Sequence, residues 1–119
     1  MSDEKKNVRE EAVLCAANSY NRKYYLNPAF AILPEGIRRE LQIACVIFTE
    51  DVGGVITLFF DDDGNPTIAT SAEEFDPSYD EIGADLKVKE LRAEKEELFS
   101  GLETYYKTAV LGQPLPEDL

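Results

Sequence analysis

Residues 55–70 read Val-Ile-Thr-Leu-Phe-Phe-Asp-Asp-Asp-Gly-Asn-Pro-Thr-Ile-Ala-Thr, and this stretch decides the fold class. Two runs rich in β-branched and aromatic residues, 55–60 and 67–70, flank the polar residues 61–65. Short runs of this composition on either side of an Asp-Gly turn are typical of a β-hairpin. The stretch therefore predicts two antiparallel strands.

A second hairpin is predicted upstream. Residues 13–17 are mostly apolar, a polar turn follows at residues 18–21, and residues 23–26 are rich in aromatic side chains. This order favours two strands around a turn. The alternative is a helix that is capped by Ser2 and runs through Cys15.

A helix is predicted over residues 34–52, with Pro34 at its first position. Ile43, Val46 and Ile47 lie off its main apolar face, so we expect the C-terminal half of this helix to be buried on more than one side. The main apolar face comprises Ile37, Leu41, Ala44, Cys45, Phe48 and Val52.

A long helix is predicted from residue 82 to about residue 111. About 28 residues of helix span about 42 Å, whereas a compact domain of this size is about 35 Å across. The helix must therefore bend, with Gly101 as the expected place, or project and pack against a second copy of the chain. The side chains expected at such a contact include Leu98, Leu102, Tyr105 and Tyr106.

Together these elements predict an α+β domain: a small antiparallel sheet from two hairpins, packed against a central helix and a long C-terminal helix. An alternative interpretation makes residues 43–48 a strand, within a three-stranded meander over residues 43–70. The domain is expected to span residues 13–112. A charged N-terminal arm at residues 1–12 and a mobile tail at residues 113–119 are expected to flank it.

The chain is acidic, and its acidity is concentrated in one half. It has 24 Asp and Glu residues against 12 Lys and Arg, with a net charge of −12 and no histidine. Residues 1–60 are nearly neutral, whereas residues 61–119 carry 16 acidic and 5 basic side chains. Repulsion from phosphates argues against nucleic acid and anionic membranes as partners. The lack of histidine argues against Ser–His and Cys–His hydrolase chemistry and against His-ligated zinc.

No motif predicts catalytic, cofactor-binding or metal-ligating residues. A calcium loop that begins at Asp61 needs Gly and Glu at its sixth and twelfth positions, where this chain has Pro66 and Ala72. Cys15 and Cys45 lie in apolar surroundings without a Cys-x-x-Cys spacing, so we expect buried free thiols in a reducing compartment. A disulfide between them and a reactive thiol stay open as alternatives.

One stretch combines aromatic and cationic side chains. Tyr20 is followed by Lys23, Tyr24 and Tyr25, and adjacent residues on a strand point to opposite faces of a sheet. One of the paired tyrosines is therefore expected in the core and the other at the surface. Because tyrosine is enriched at protein interfaces, these four residues are a candidate contact surface. Ordinary sheet packing is the alternative.

Three strings in the sequence carry a resemblance. They are Asn18-Ser19-Tyr20 with Lys23-Tyr24-Tyr25-Leu26-Asn27, then Phe48-Thr49-Glu50-Asp51-Val52-Gly53-Gly54, then Tyr79-Asp80-Glu81-Ile82-Gly83. With these strings the chain resembles, over about residues 13–112, a family of short, acidic, uncharacterised bacterial proteins that form a domain of unknown function. The resemblance implies neither an activity nor a cofactor.

The sequence favours a cytoplasmic, non-enzymatic interaction module that forms a homodimer. No apolar run is long enough to cross a membrane, and the charged start of the chain lacks the apolar segment of a secretion signal. One alternative is an enzyme that acts on a small molecule or depends on a cation, using carboxylates with Tyr or Lys. Another is an acidic decoy that binds a basic protein partner through the carboxylates of residues 61–85.

Overall fold

The computed structural model describes residues 12–115 and has the predicted α+β fold. The arm predicted for residues 1–12 lies outside the described residues except for Ala12, and so does the end of the tail predicted for residues 113–119. Along the described chain the elements are β1 (Val13–Asn18), β2 (Lys23–Leu26), α1 (Glu35–Val52), β3 (Val55–Phe60), β4 (Pro66–Ser71), α2 (Glu81–Glu94) and α3 (Glu96–Tyr105). A 3₁₀ turn at Pro28–Phe30 and a π-helical turn at Tyr106–Val110 are also present.

The four strands form one antiparallel sheet in the order β2-β1-β3-β4. Both predicted hairpins are confirmed, as β1–β2 and β3–β4. The pairing of β1 with β3 joins them, because Cys15 lies opposite Leu58 and Ala17 lies opposite Ile56. Since β1 is a strand, the alternative of a helix running through Cys15 is wrong.

The turn between β3 and β4 is held by the side chain of its first residue. Asp61 Oδ1 accepts hydrogen bonds from the backbone N–H groups of Asp63 (3.0 Å) and Asn65 (2.8 Å). These donors, with Asn65 contributing most, lower the pKa of the Asp61 carboxyl. Gly64 occupies the left-handed region at φ 88°, which other residues rarely adopt. The acidic turn is therefore built by its own hydrogen bonds.

Helix α1 confirms the helical interpretation of residues 43–48, so the three-stranded meander is wrong. The helix begins at Glu35, one residue later than predicted, so Pro34 immediately precedes it. Gly53, at φ 80°, ends it. The predicted apolar face faces the core. Ile43 and Ile47, however, are 52% and 53% exposed, so the expectation that the helix is buried on a second side is wrong for these two residues.

The long C-terminal helix is divided at Lys95, where φ is −112° and ψ is 32°. Gly101, the predicted place of the bend, lies inside α3. Lys95 Nζ lies 3.0 Å from Glu40 Oε2 on α1, and this ion pair fixes the turn against the neighbouring helix. The 14 residues of α2 span only about 21 Å, so neither helix is as long as the domain.

The core lies between one face of the sheet and the helices. Alternate residues of β1 and β3 point toward α1, and α3 lies beside β4. Phe60 and Tyr106 stack with their ring centroids 4.0 Å apart and their planes 8° from parallel. Phe30 packs against both rings, so the 3₁₀ turn, the sheet and the chain after α3 meet in one aromatic cluster.

Within residues 12–115, no helix combines the length and apolarity needed to cross a bilayer.

Candidate interaction site

The apolar residues predicted as contacts on the C-terminal helix point into the core of the chain itself. Leu98, Leu102 and Tyr106 are buried, and Tyr105 is half-buried against the same core. The turn at Lys95 aims this face of α3 at the sheet. The apolar periodicity that indicated a contact with a second copy is thus used for folding.

The four residues of the aromatic stretch separate into different environments. The split predicted for the paired tyrosines is confirmed, because Tyr24 packs against the core whereas Tyr25 is exposed on the opposite face of β2. Lys23, at the start of β2, is also exposed. Lys23 and Tyr25, two positions apart, therefore lie on the exposed face of β2, whereas Tyr24 belongs to the core.

Tyr20 supports the acidic loop between β4 and α2. Its hydroxyl donates a hydrogen bond to Asp76 Oδ2 (2.5 Å) and accepts one from the backbone N–H of Glu73 (3.1 Å). The first bond raises the pKa of Tyr20 and lowers the pKa of Asp76. Tyr20 thus links the first hairpin to residues 72–80 through two hydrogen bonds.

The three strings of the sequence resemblance lie together at one end of the sheet. The backbone N–H of Ser19 donates to the carbonyl oxygen of Gly54 (2.9 Å), which ties the first hairpin to the start of β3. Gly54 in turn lies directly beneath the ring of Tyr79. The strings therefore form a packed structural unit.

A cleft of about 830 Å³ separates the β1–β2 hairpin from α1. Arg22, Lys23 and Tyr24 are among its lining residues, and Glu50 contributes a carboxylate. An acid–base pair of carboxylates needs two such groups, and Glu50 is the one carboxylate among the described lining residues. The lining of this cleft thus does not supply the carboxylate pair of the enzyme alternative.

A second groove, of about 550 Å³, runs between α1 and α2. Ile43 and Ile47 project into it from α1, and Phe48 and Leu91 form its apolar base. Its charged lining mixes both signs: the cations are Arg39, Lys87 and Lys95, and the carboxylates are Glu40, Asp51, Glu90 and Glu94.

The charges along this groove are partly paired. Lys95 Nζ lies 3.0 Å from Glu40 Oε2, and Lys87 Nζ lies 3.5 Å from Asp51 Oδ2. Three cations and four carboxylates leave the groove almost neutral, although the chain carries −12. The α1–α2 groove thus combines exposed isoleucine with balanced charge.

The sequence carries a signal for this groove on α1. Ile43 and Ile47 are four residues apart, so they share one side of α1, off its main apolar face. Their position predicts burial on a second side of the helix. In the described residues α2 packs beside them without covering them.

Metal-ligating side chains do not gather in this groove or elsewhere in residues 12–115, where no group of three His, Cys, Asp or Glu residues is placed to hold an ion.

A family model matches almost the whole described chain. It covers residues 11–114 and describes a family of unknown function, DUF6145. Neither the curated proteins nor the solved structures contain a match. The resemblance inferred from the three strings is confirmed, and the chain belongs to the DUF6145 family.

Proposed function

We propose that this protein is a cytosolic, non-enzymatic interaction module that self-associates through the α1–α2 groove. The observation that carries the proposal is the half-exposure of Ile43 and Ile47 within a concave surface of the molecule. Isoleucine is among the residues most often buried in proteins, and clustered exposed apolar side chains mark interaction surfaces.

Charge favours a second copy of the chain as the occupant of the groove. Two molecules that each carry −12 repel one another over most of their surfaces. Contact between identical patches is least unfavourable where the patch carries both signs, because a two-fold interface can place cations of one copy opposite carboxylates of the other. The α1–α2 groove has this balance of charge.

The proposed contact retains part of the C-terminal helix predicted to mediate self-association. Helix α2 supplies one wall of the groove, through Lys87, Glu90 and Leu91. The contact therefore uses the side of α2 that faces α1, while the apolar side chains of α3 remain in the core. Two free, buried thiols fit a reducing compartment and support a cytosolic location.

Replacing Ile47 with glutamate is expected to weaken self-association at least tenfold. The substitution places a carboxylate where an apolar side chain would be desolvated by the second copy, and it makes the groove more acidic. Sedimentation velocity over a concentration series gives the dissociation constant. The wild-type chain is expected to be dimeric at tens of micromolar, and Ile43→Glu should resemble Ile47→Glu.

Ile32→Glu is the matched control. Ile32 is 78% exposed but does not line the groove, so the same change of side chain should leave the dissociation constant within about twofold of wild type. A wild-type chain that stays monomeric throughout the series would contradict the proposal. An equal effect of Ile32→Glu would contradict its assignment to this groove.

A further inference from the structure

The two cysteines of the chain meet in the core, although 30 residues separate them in sequence. Cys15 lies on β1 and Cys45 on α1, and their Sγ atoms are 3.9 Å apart. Both side chains are 0% exposed, and neither forms a disulfide. The two free thiols are therefore in contact in the core.

Tyr24 places a third titratable group beside this pair. Its hydroxyl is buried and has no hydrogen-bond partner of ordinary geometry within residues 12–115, but it lies close enough to Cys15 to influence that thiol. Hydrogen bonding from Cys45, and to a smaller extent from Tyr24, lowers the pKa of Cys15, whereas burial opposes this effect. The pKa of Cys45 is raised, because its proton is shared with the Cys15 sulfur and because the thiol is buried. Either sulfur can be the donor within the pair, so the position of Tyr24 beside Cys15 is what distinguishes the two thiols, and on this geometry Cys15 is assigned as the attacking thiol.

The cleft between the first hairpin and α1 lies next to the thiols, although neither cysteine is among its lining residues. Tyr24 lines the cleft, and so do Val46 and Thr49, which follow Cys45 on α1. Thr49 Oγ1 donates to the carbonyl oxygen of Cys45 at 3.3 Å, so the floor of the cleft is joined to the helix turn that carries the thiol. Because both cysteines are 0% exposed, a peroxide reaches the pair only when the Tyr24 side chain or the neighbouring hairpin moves.

We propose that Cys15 and Cys45 form a reversible intramolecular disulfide when a hydroperoxide oxidises the folded chain, which makes this pair a modification site. A disulfide requires the sulfurs to approach from 3.9 Å to about 2.05 Å. The product would tie α1 covalently to the central strand β1.

The reaction balances with hydrogen peroxide as the oxidant. The Cys15 thiolate attacks one peroxide oxygen, the O–O bond breaks, and hydroxide leaves as Cys15 becomes a sulfenic acid. The Cys45 sulfur then attacks the Cys15 sulfur, the S–O bond breaks, and the departing hydroxide takes a proton to form water. In total, two thiols lose two electrons and two protons, and the peroxide becomes two molecules of water.

The test is to treat the folded wild-type chain with hydrogen peroxide and to analyse it without reduction. Intact-mass measurement should show the loss of two hydrogen atoms per chain, and peptide mapping should find Cys15 linked to Cys45. A thiol reductant should reverse both results. The cross-link closes a loop of about 30 residues, so the thermal midpoint should rise by about 10 °C.

Tyr24→Phe separates the proposed chemistry from simple proximity. Loss of the hydroxyl removes the polar group beside Cys15 that favours its thiolate, so disulfide formation should become several-fold slower while the product stays the same. Tyr25→Phe, on the exposed face of the same strand, should leave the rate unchanged. An unchanged rate in Tyr24→Phe would overturn the assignment of Cys15 as the attacking thiol. Sulfinic acid at either cysteine, a cross-link between chains, or thiols that react only after unfolding in urea would overturn the site itself.

Discussion

Replacing Leu102 with alanine is expected to lower the free energy of unfolding by about 3 kcal/mol and to leave self-association unchanged. Leu102 is 3% exposed and packs in the core of a single chain. Truncating a buried leucine removes apolar contacts and leaves a cavity, which costs about 2–5 kcal/mol. The same substitution at a contact between copies would instead act mainly on the dissociation constant. Chemical denaturation and sedimentation velocity on the same preparation measure the two effects.

Leu86→Ala is the control for this prediction. Leu86 lies on α2 with 57% of its surface exposed, so its truncation should change the free energy of unfolding by less than about 0.5 kcal/mol. If Leu102→Ala dissociated the dimer at little cost to stability, α3 would be an interface and the groove would lose its role.

Replacing Gly54 with alanine is expected to destabilise the fold by about 3–4 kcal/mol. At φ 71° this residue occupies the left-handed region, which is strained for any other side chain. An added Cβ would also overlap the backbone carbonyl oxygen of Ser71 and lie 2.7 Å from Cε1 of Tyr79. Backbone strain of about 1–3 kcal/mol and overpacking of about 1–3 kcal/mol combine at this position. Urea denaturation monitored by circular dichroism gives the measurement.

Gly53→Ala distinguishes crowding from backbone strain. Gly53 also has a positive φ, of 80°, but nothing lies within 4 Å of a Cβ placed there. Its substitution should therefore cost only the strain, about 1–3 kcal/mol, and less than the Gly54 substitution. Equal losses at the two positions would show that the close approach of Tyr79 and Ser71 contributes nothing.

The elements that could be predicted from sequence are those with strong local signals. The Asp-Gly turn between two β-branched runs gave the β3–β4 hairpin, and the spacing of Leu41, Cys45 and Phe48 gave the core face of α1. Both signals depend on residues a few positions apart, so they can be recognised without knowledge of the tertiary structure. The order of the strands does not follow from these signals, because either strand of one hairpin could pair with either strand of the other; the pairing of β1 with β3 is known only from the structure.

The division of the C-terminal helix could not be predicted, because its sequence favours helix throughout. Lys95 is flanked by Glu94 and Glu96, all good helix formers, and no glycine or proline marks the break. The turn depends on contacts that are distant in sequence, including the ion pair of Lys95 with Glu40. Gly101 was the local signal for a bend, yet the helix passes through it.

The candidate sites were visible in the sequence only as isolated facts. Ile43 and Ile47 were correctly placed off the main apolar face of α1, but whether a neighbouring element covers them depends on the position of α2. The 30-residue separation of Cys15 and Cys45 likewise gives no information on distance, because the packing of β1 against α1 depends on the tertiary structure. Both features result from packing between elements.

The most direct test of the central claim is a search for contacts between copies at the α1–α2 groove. A dimer mixed from chains with isotope-labelled isoleucine methyl groups and unlabelled chains gives nuclear Overhauser effects that arise only between copies. We predict such effects at the methyl groups of Ile43 and Ile47 and none at Ile32, which is exposed elsewhere. A dimer that shows these effects at Ile32, with none at Ile43 and Ile47, would contradict the account.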